Sequence, residues 1–237
     1  MESQLYPHLH LLVSGGNSQV IYLQSWSDFE VIGKTLDDAA GECFDKTARM
    51  LGLPYPGGVY LSKIAGLADK NMLKFPVAMK DSKEYNFSFS GLKTAVRYYL
   101  EKLELENGER FELEKKLSLE EIEFLTKHSL EEIEALSPDD KKKLNFEKLK
   151  TIKITCITVQ SVIVEALLNK VDLAFKNLET ASVGLSGGVS ANPLLRQKLE
   201  QKYGSKLLLA PKPLTGDNAV MIGLAGVLDW KYEIKKQ

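Results

Sequence analysis

Apolar and polar positions alternate with a period of two along the first 36 residues, in runs at 8–13, 19–24 and 29–35, which predicts three strands. Ser14-Gly15-Gly16-Asn17-Ser18 separates the first two, so tight turns join the three into an antiparallel meander. The period then lengthens. Residues 38–51 carry their apolar side chains on one helical face, and the stretch from Pro54 to Gly58 ends that helix. Residues 59–103 read as two helices around an irregular middle, 75–90, where Tyr85, Phe87 and Phe89 are interleaved with polar residues. From 149 to 178 so few positions are polar that the predicted helix must be buried rather than laid on a surface. A strand at 181–185, a glycine turn, a helix at 193–203, a strand at 206–210 and a last helix at about 217–232 give the order βββα, insertion, αβαβα.

Three antiparallel strands followed by two helix-linked strands make an α/β fold, a mixed five-stranded sheet with helices on both faces. This is the ribonuclease-H-like, actin-like unit shared by actin, sugar kinases and the heat-shock chaperone ATPases. Those proteins bind nucleotide between two such units, and this chain is expected to contain one. Charge interrupts the pattern once. Between 104 and 150 roughly half the residues are charged, and Ser118-Leu-Glu-Glu, Ser129-Leu-Glu-Glu and Ser137-Pro-Asp-Asp each resemble a capping box opening a short helix. The expected organisation is therefore one lobe from 1–52 and 150–237, a subdomain at 53–103 and a charged helical insertion at 104–149.

Composition bounds the function. A chain of 237 residues that is 44% hydrophobic and 27% charged can bury a sizeable core, which excludes disorder throughout. The apolar stretch 154–168 is interrupted by Thr, Gln, Ser and Glu, and no targeting run precedes the first strand, so no membrane partner is expected. Cys43 and Cys156 lie far apart in helical segments, which leaves neither a disulfide framework nor a CxxC metal knuckle and points to a reducing, cytoplasmic setting. With 31 basic and 32 acidic residues the net charge is −1, so any RNA substrate needs help from another surface.

Candidate chemistry begins at the glycine turns. Ser14-Gly15-Gly16-Asn17-Ser18 taken alone reads first as an ordinary hairpin turn, with a cradle whose backbone N–H groups hold a phosphate as the alternative. A second copy, Ser186-Gly187-Gly188-Val189-Ser190, follows another strand and opens a helix, which favours the cradle. There the glycines suit the flat face of a base, and Asn192 offers both a donor and an acceptor. Asp38, Glu42 and Asp45 share one helix face, either as solvated charge or as a carboxylate face turned toward the first turn. Asp217 reads as a helix N-cap or as a metal ligand. His8 and His10 lie on one side of a strand without a third ligand, and His128 falls in the insertion.

Six segments in order then resemble the TsaD (Gcp-like) family: 12–19, 37–48, 51–58, 87–94, 187–192 and 215–219, with LVSGGNSQ, DDAAGE, YPGG, FSFSGLKT, GGVSAN and TGDNA at their centres. The resemblance covers nearly the whole chain apart from the insertion. It implies an enzyme that transfers the threonylcarbamoyl group of threonylcarbamoyl-adenylate to the exocyclic amine of the adenosine beside the anticodon in tRNA, releasing AMP. By matching position, Leu12, Val13, Ser14, Gly15 and Gly16 contact the ligand's phosphate and carbamoyl region. Asp45, Gly58 and Asn192 bind its nucleoside part, and Gly187 and Gly188 line the same nucleotide site, which would take the adenylate or ATP. Asp217 is one ligand of a divalent metal, iron or zinc. No residue is assigned as catalytic. The family also implies partner subunits, among them a paralogous non-catalytic subunit and an ATPase, beside the tRNA.

One departure matters. The family's N-terminal lobe ends in an HxxxH helix that supplies two metal ligands, and no HxxxH occurs here. The metal site is incomplete in this chain, and the expectation is a truncated gene, a split enzyme with its first lobe on a separate polypeptide, or a lobe that only binds or scaffolds. Two function classes follow, a transferase catalytic lobe and a non-catalytic nucleotide-binding or assembly module. A protease has no support, since neither a Ser-His-Asp pattern nor HExxH is visible.

Overall fold

The computed structural model describes residues 5–107 and 116–234. Its strands are β1 (His8–Val13), β2 (Ser18–Leu23), β3 (Phe29–Lys34), β4 (Ser182–Ser186) and β5 (Leu207–Leu209). They form one sheet in the order β3-β2-β1-β4-β5, antiparallel across β3-β2-β1 and parallel across β1-β4-β5. The meander needs only tight turns, whereas β1 and β4 are parallel and joined by the whole intervening chain. Helices α1 (Ala40–Met50), α2 (Gly57–Ala65), α3 (Ser90–Asn107), α4 (Leu119–Lys127), α5 (Leu130–Glu134), α6 (Pro138–Lys143), α7 (Phe146–Asn177), α8 (Pro193–Tyr203) and α9 (Ala219–Ile234) complete the described elements.

Strand alternation divides the sheet into two faces. Leu9, Leu11 and Val13 of β1 are buried with Val20 and Val183, and α7 packs against β1. The opposite face carries His8, His10 and Leu12, and the register places Ile21, Val31, Gly184 and Leu208 on that side. Val31 and Leu208 remain exposed there, as does Phe29. The apolar residues of α9 are exposed too, Ile222 and Trp230 by about two thirds.

Helix α7 is long and apolar enough to cross a membrane, but 78% of its apolar window is buried inside the fold. Two buried lysines on it anchor irregular backbone. Lys153 Nζ donates to the carbonyls of Ile64 at 2.6 Å and Leu125 at 2.8 Å, ending α2 and tying in α4. Lys170 Nζ donates to Met79, Ser82 and Glu84, and this is how the segment between α2 and α3 keeps one shape without regular structure. Burial holds both ammonium groups below the usual lysine range. Asp37 fixes the other end of that segment by accepting from the Ser88 and Ser90 hydroxyls and the Phe89 and Ser90 amides. Burial alone would raise its carboxyl, but those donors outweigh it and hold the group below the ordinary range.

Ser118, Ser129 and Ser137 cap α4, α5 and α6, each accepting from the amide three residues on. The apolar side of this segment is not separate from the rest. Leu117, Ile122, Leu125, Leu130 and Ile133 are buried in the same cluster as α2 and α7.

Candidate functional site

A cavity of about 560 Å³ opens where α1, α2 and the turn after β4 meet the turn after β1. Gly15 lines it from the first glycine turn, Asp45 from α1, Gly58 from α2, and Gly188 and Asn192 from the second turn and the start of α8. Five residues singled out in the sequence are thus brought together from four segments. Phe44, Pro56, Val59 and Leu67 give the remaining wall an apolar character suited to a flat ring.

The first turn is closed by its own atoms. Ser14 N–H donates to Asn17 O at 2.8 Å, and Ser14 Oγ accepts from the amides of Gly16 and Asn17. Ser14 therefore shapes the loop, while a Cβ built on either Gly15 or Gly16 meets nothing within 4 Å. The backbone there faces open space. Gly41, in the first turn of α1, donates to Ser14 O, and a side chain on it would collide with Ser14 O and Gly15 Cα. Gly41 also lines the cavity, and sequence reasoning passed over it. The available signal was a glycine inside a helix, which costs about 1 kcal/mol relative to alanine and so asks for a packing reason.

Of the three carboxylates expected on one helix face, only Asp45 lines the cavity. Its Oδ1 accepts from Gly58 N–H at 2.7 Å, so the carboxylate caps the start of α2 and holds two cavity walls together. Asp38 precedes the helix and pairs with Lys46 at 2.9 Å and Lys93 at 3.1 Å, while Glu42 pairs with Lys46 at 2.7 Å. Burial opposes ionisation of Asp38, yet its two lysine partners hold the carboxyl below the ordinary range.

At the second turn Gly187 has φ +88°, and an added Cβ would collide with Val13 O, so glycine is required where the two turns touch. A short 3-10 turn, Gly188–Ala191, precedes α8. Asn192 caps α8 by accepting from Leu195 N–H at 2.9 Å, and its amide donates to Ser62 Oγ and Gln160 Oε1. Both of its donors are engaged within the protein, which makes its side chain a brace between α2, α7 and α8. Val13 is fully buried in the core, and Leu12 is half-buried on the opposite sheet face.

Asp217 stands apart. It is exposed in the bend before α9 and does not line the cavity. The N-cap role expected of it belongs to Asn218, whose Oδ1 accepts from Met221 N–H at 3.1 Å. Among the described residues no group of three or more His, Cys, Asp or Glu side chains is placed to hold a metal ion. Asp217 and its surroundings alone do not fit a bound iron or zinc, for one exposed carboxylate holds such a cation weakly.

Residues 1–224 match the family model described as "TsaD: tRNA N6-adenosine threonylcarbamoyltransferase". A protein named tRNA N6-adenosine threonylcarbamoyltransferase from Thermosipho africanus is 39% identical over 237 residues, covering 97% of this chain and 59% of its own length. Proteins with the same name from Christiangramia forsetii and Bacillus subtilis are 37% and 34% identical, covering 95% and 99% of this chain and 56% and 57% of their own. The chain thus spans somewhat less than three fifths of the length of the curated relatives it matches.

Proposed function

The chain belongs to the TsaD family, and we propose that it is the nucleotide-holding, actin-like lobe of a tRNA N6-adenosine threonylcarbamoyltransferase. The observation that carries this reading is the convergence of Gly15, Asp45, Gly58, Gly188 and Asn192 on one cavity. In this reading the open backbone of the two glycine turns receives the phosphate of threonylcarbamoyl-adenylate. The apolar wall takes the adenine, and Asp45 accepts from a ribose hydroxyl with the oxygen not engaged by Gly58. The chemistry is acyl transfer. The adenosine amine bonds to the carbamoyl carbon, the carbon–oxygen bond to phosphate breaks, and AMP leaves with the electron pair. What these residues contribute is orientation and exclusion of water. A metal bound through Asp217 needs ligands from outside the described residues.

The exposed apolar face of the sheet and the apolar α9 support a further part of this reading, that a second lobe packs there. The tRNA, a paralogous non-catalytic subunit and an ATPase subunit complete the proposed assembly, in keeping with a net charge of −1 on this chain. The isolation of Asp217 favours a second reading, a nucleotide-binding or assembly module that performs no transfer. One experiment separates the two. The chain is mixed with threonylcarbamoyl-adenylate, tRNA and iron or zinc, with and without a co-expressed first lobe. Modified tRNA only in the presence of that lobe is expected, and nucleotide binding with no transfer under any condition establishes the module instead.

A further inference from the structure

Gln160 is fully buried in the middle of α7, where a methionine or leucine of similar size would leave no amide to satisfy. Both halves of its amide are engaged. Gln160 Nε2 donates to Gly66 O at 2.8 Å, and its Oε1 accepts from Asn192 Nδ2 at 2.8 Å. Asn192 Nδ2 also donates to Ser62 Oγ at 2.9 Å, and Asn192 Oδ1 accepts from Leu195 N–H at 2.9 Å. Ser62, Gly66 and Asn192 all line the cavity, whereas Gln160 stands behind them.

The two backbone groups fix the direction of every bond between them. A carbonyl only accepts, so the NH2 group of Gln160 faces Gly66 and its oxygen faces Asn192. A backbone N–H only donates, so the oxygen of Asn192 faces Leu195 and its NH2 group faces Gln160 and Ser62. Flipping either amide would set donor against donor and acceptor against acceptor. Ser62 Oγ is thereby an acceptor inside the network, and among the described residues nothing accepts its proton. That hydroxyl is the donor left for the cavity. Asp45 supplies the complementary group: its Oδ1 accepts from Gly58 N–H, and among the described residues its Oδ2 takes no hydrogen bond. Gly58 and Ser62 are four residues apart on α2, so acceptor and donor border one side of the cavity about one turn of helix apart.

We propose that Gln160 is a positioning residue for nucleoside recognition, turning the Asn192 amide so that the Ser62 hydroxyl is offered to one of two neighbouring ribose hydroxyls while Asp45 accepts from the other. The inference rests on the nucleotide reading above and adds the group that the cavity selects, a vicinal diol. One hydroxyl of such a diol accepts from Ser62 and the other donates to Asp45, so both unengaged groups are answered at once. A sugar without them leaves a donor and a carboxylate oxygen without partners as the cavity closes on the ligand. Gln160 itself does not touch the ligand. Nor is its amide needed merely to anchor the end of α2, since Lys153 already does so through Ile64 O.

Calorimetry on the full chain with AMP and with dideoxy-AMP, which lacks both ribose hydroxyls, tests it. The parent should prefer AMP about 50-fold, the worth of a few net hydrogen bonds. Ser62→Ala and Gln160→Met should each cut that preference about fivefold while leaving the affinity for dideoxy-AMP unchanged. The double variant should cut it no further, since both changes remove the same donor. Gln160→Glu should rescue the preference, because a buried carboxyl stays protonated and then donates to Gly66 O and accepts from Asn192. A merely structural role would weaken both nucleotides alike; that result, or a full preference for AMP in Gln160→Met, overturns the positioning role and leaves the nucleotide reading standing. A second measurement does not depend on the folding of any variant. In nitrogen–proton spectra of the native chain the side-chain amide protons of Gln160 and Asn192 should exchange slowly with solvent and stay protected when AMP binds, and exposure of the Asn192 amide on binding overturns the role. No AMP binding by the native chain refutes the nucleotide reading, and the role of Gln160 with it.

Discussion

In the proposed reading Asp45 and Asn192 serve binding as well as architecture, so simple truncation of either mixes two effects. Asp45→Ala removes the carboxylate and the cap on α2, and the expected result is weaker binding of AMP together with a stability loss of about 1 kcal/mol. Asp45→Asn keeps an oxygen for Gly58 and removes only the charge. Calorimetry with AMP, paired with urea melts of both variants, separates the terms; equal AMP affinity in both variants and the parent removes Asp45 from the site. The histidine pair makes a pH prediction. His10 is pushed down to about 4 by burial and then by His8, while the unfolded chain titrates near 6.5. Between those values the unfolded state binds more protons, so stability is complete above pH 6.5 and is lost as pH falls toward 4, by about 2 to 3 kcal/mol. The groups facing the pair from β4 are two serine hydroxyls and Gly184, which offer no charge to offset this. Urea melts from pH 7 to 4 should have a clearly shallower pH dependence in His10→Gln. At this scale the sequence pointed to three glycines that line the cavity, Gly15, Gly58 and Gly188, because they stand in short repeated or turn-like motifs, and it missed Gly41, whose reason is a contact with Ser14 and Gly15 from another segment. It did not separate Asp45 from Asp38 and Glu42, since Asp45 is set apart by Gly58 N–H, 13 residues away, and one of the two lysines that pair with Asp38, Lys93, is 55 residues away.

Periodicity identified the elements better than it identified their company. The strands, the meander and the buried α7 are legible because alternation and apolar runs are properties of neighbours in sequence. The segment between α2 and α3 was not, because its shape comes from Lys170 and Asp37, each acting at long range. The charged segment teaches the same lesson. Its capping boxes were legible, but the partners of its apolar minority were not, because Leu117, Ile122, Leu125, Leu130 and Ile133 are buried against α2 and α7, which are distant in sequence. Replacing 104–149 with a short flexible linker would uncover those partners and leave Lys153 one carbonyl short. The expected outcome is a melting temperature lower by well over 5 °C, from losing several buried Leu and Ile side chains at roughly 1.5 to 3 kcal/mol each. An unchanged melting temperature would establish the segment as a dispensable decoration.

For the whole molecule, the uncovered sheet face and α9 carry the strongest expectation. Trp230 is 67% exposed among Ile222, Leu224 and Val227 on α9. If the second lobe packs there, adding it should shift tryptophan emission to the blue and remove dye binding to exposed apolar surface. Ile222→Glu combined with Val227→Glu should abolish both changes without unfolding the chain, since these side chains touch water already. Retained emission shifts in that double variant would place the second lobe elsewhere.

The pairing of β1 with β4 also sets the order of events during synthesis. His8 and its partner Ser182 are 174 positions apart, so a ribosome adding about 5 to 20 residues per second leaves β1 waiting roughly 10 to 35 s for its parallel neighbour. Throughout that interval the nascent meander presents the backbone of β1 as an open edge, with the apolar row Leu9, Leu11 and Val13 alongside it. Rare codons after β3 would lengthen the hazard more than the same codons placed after β4.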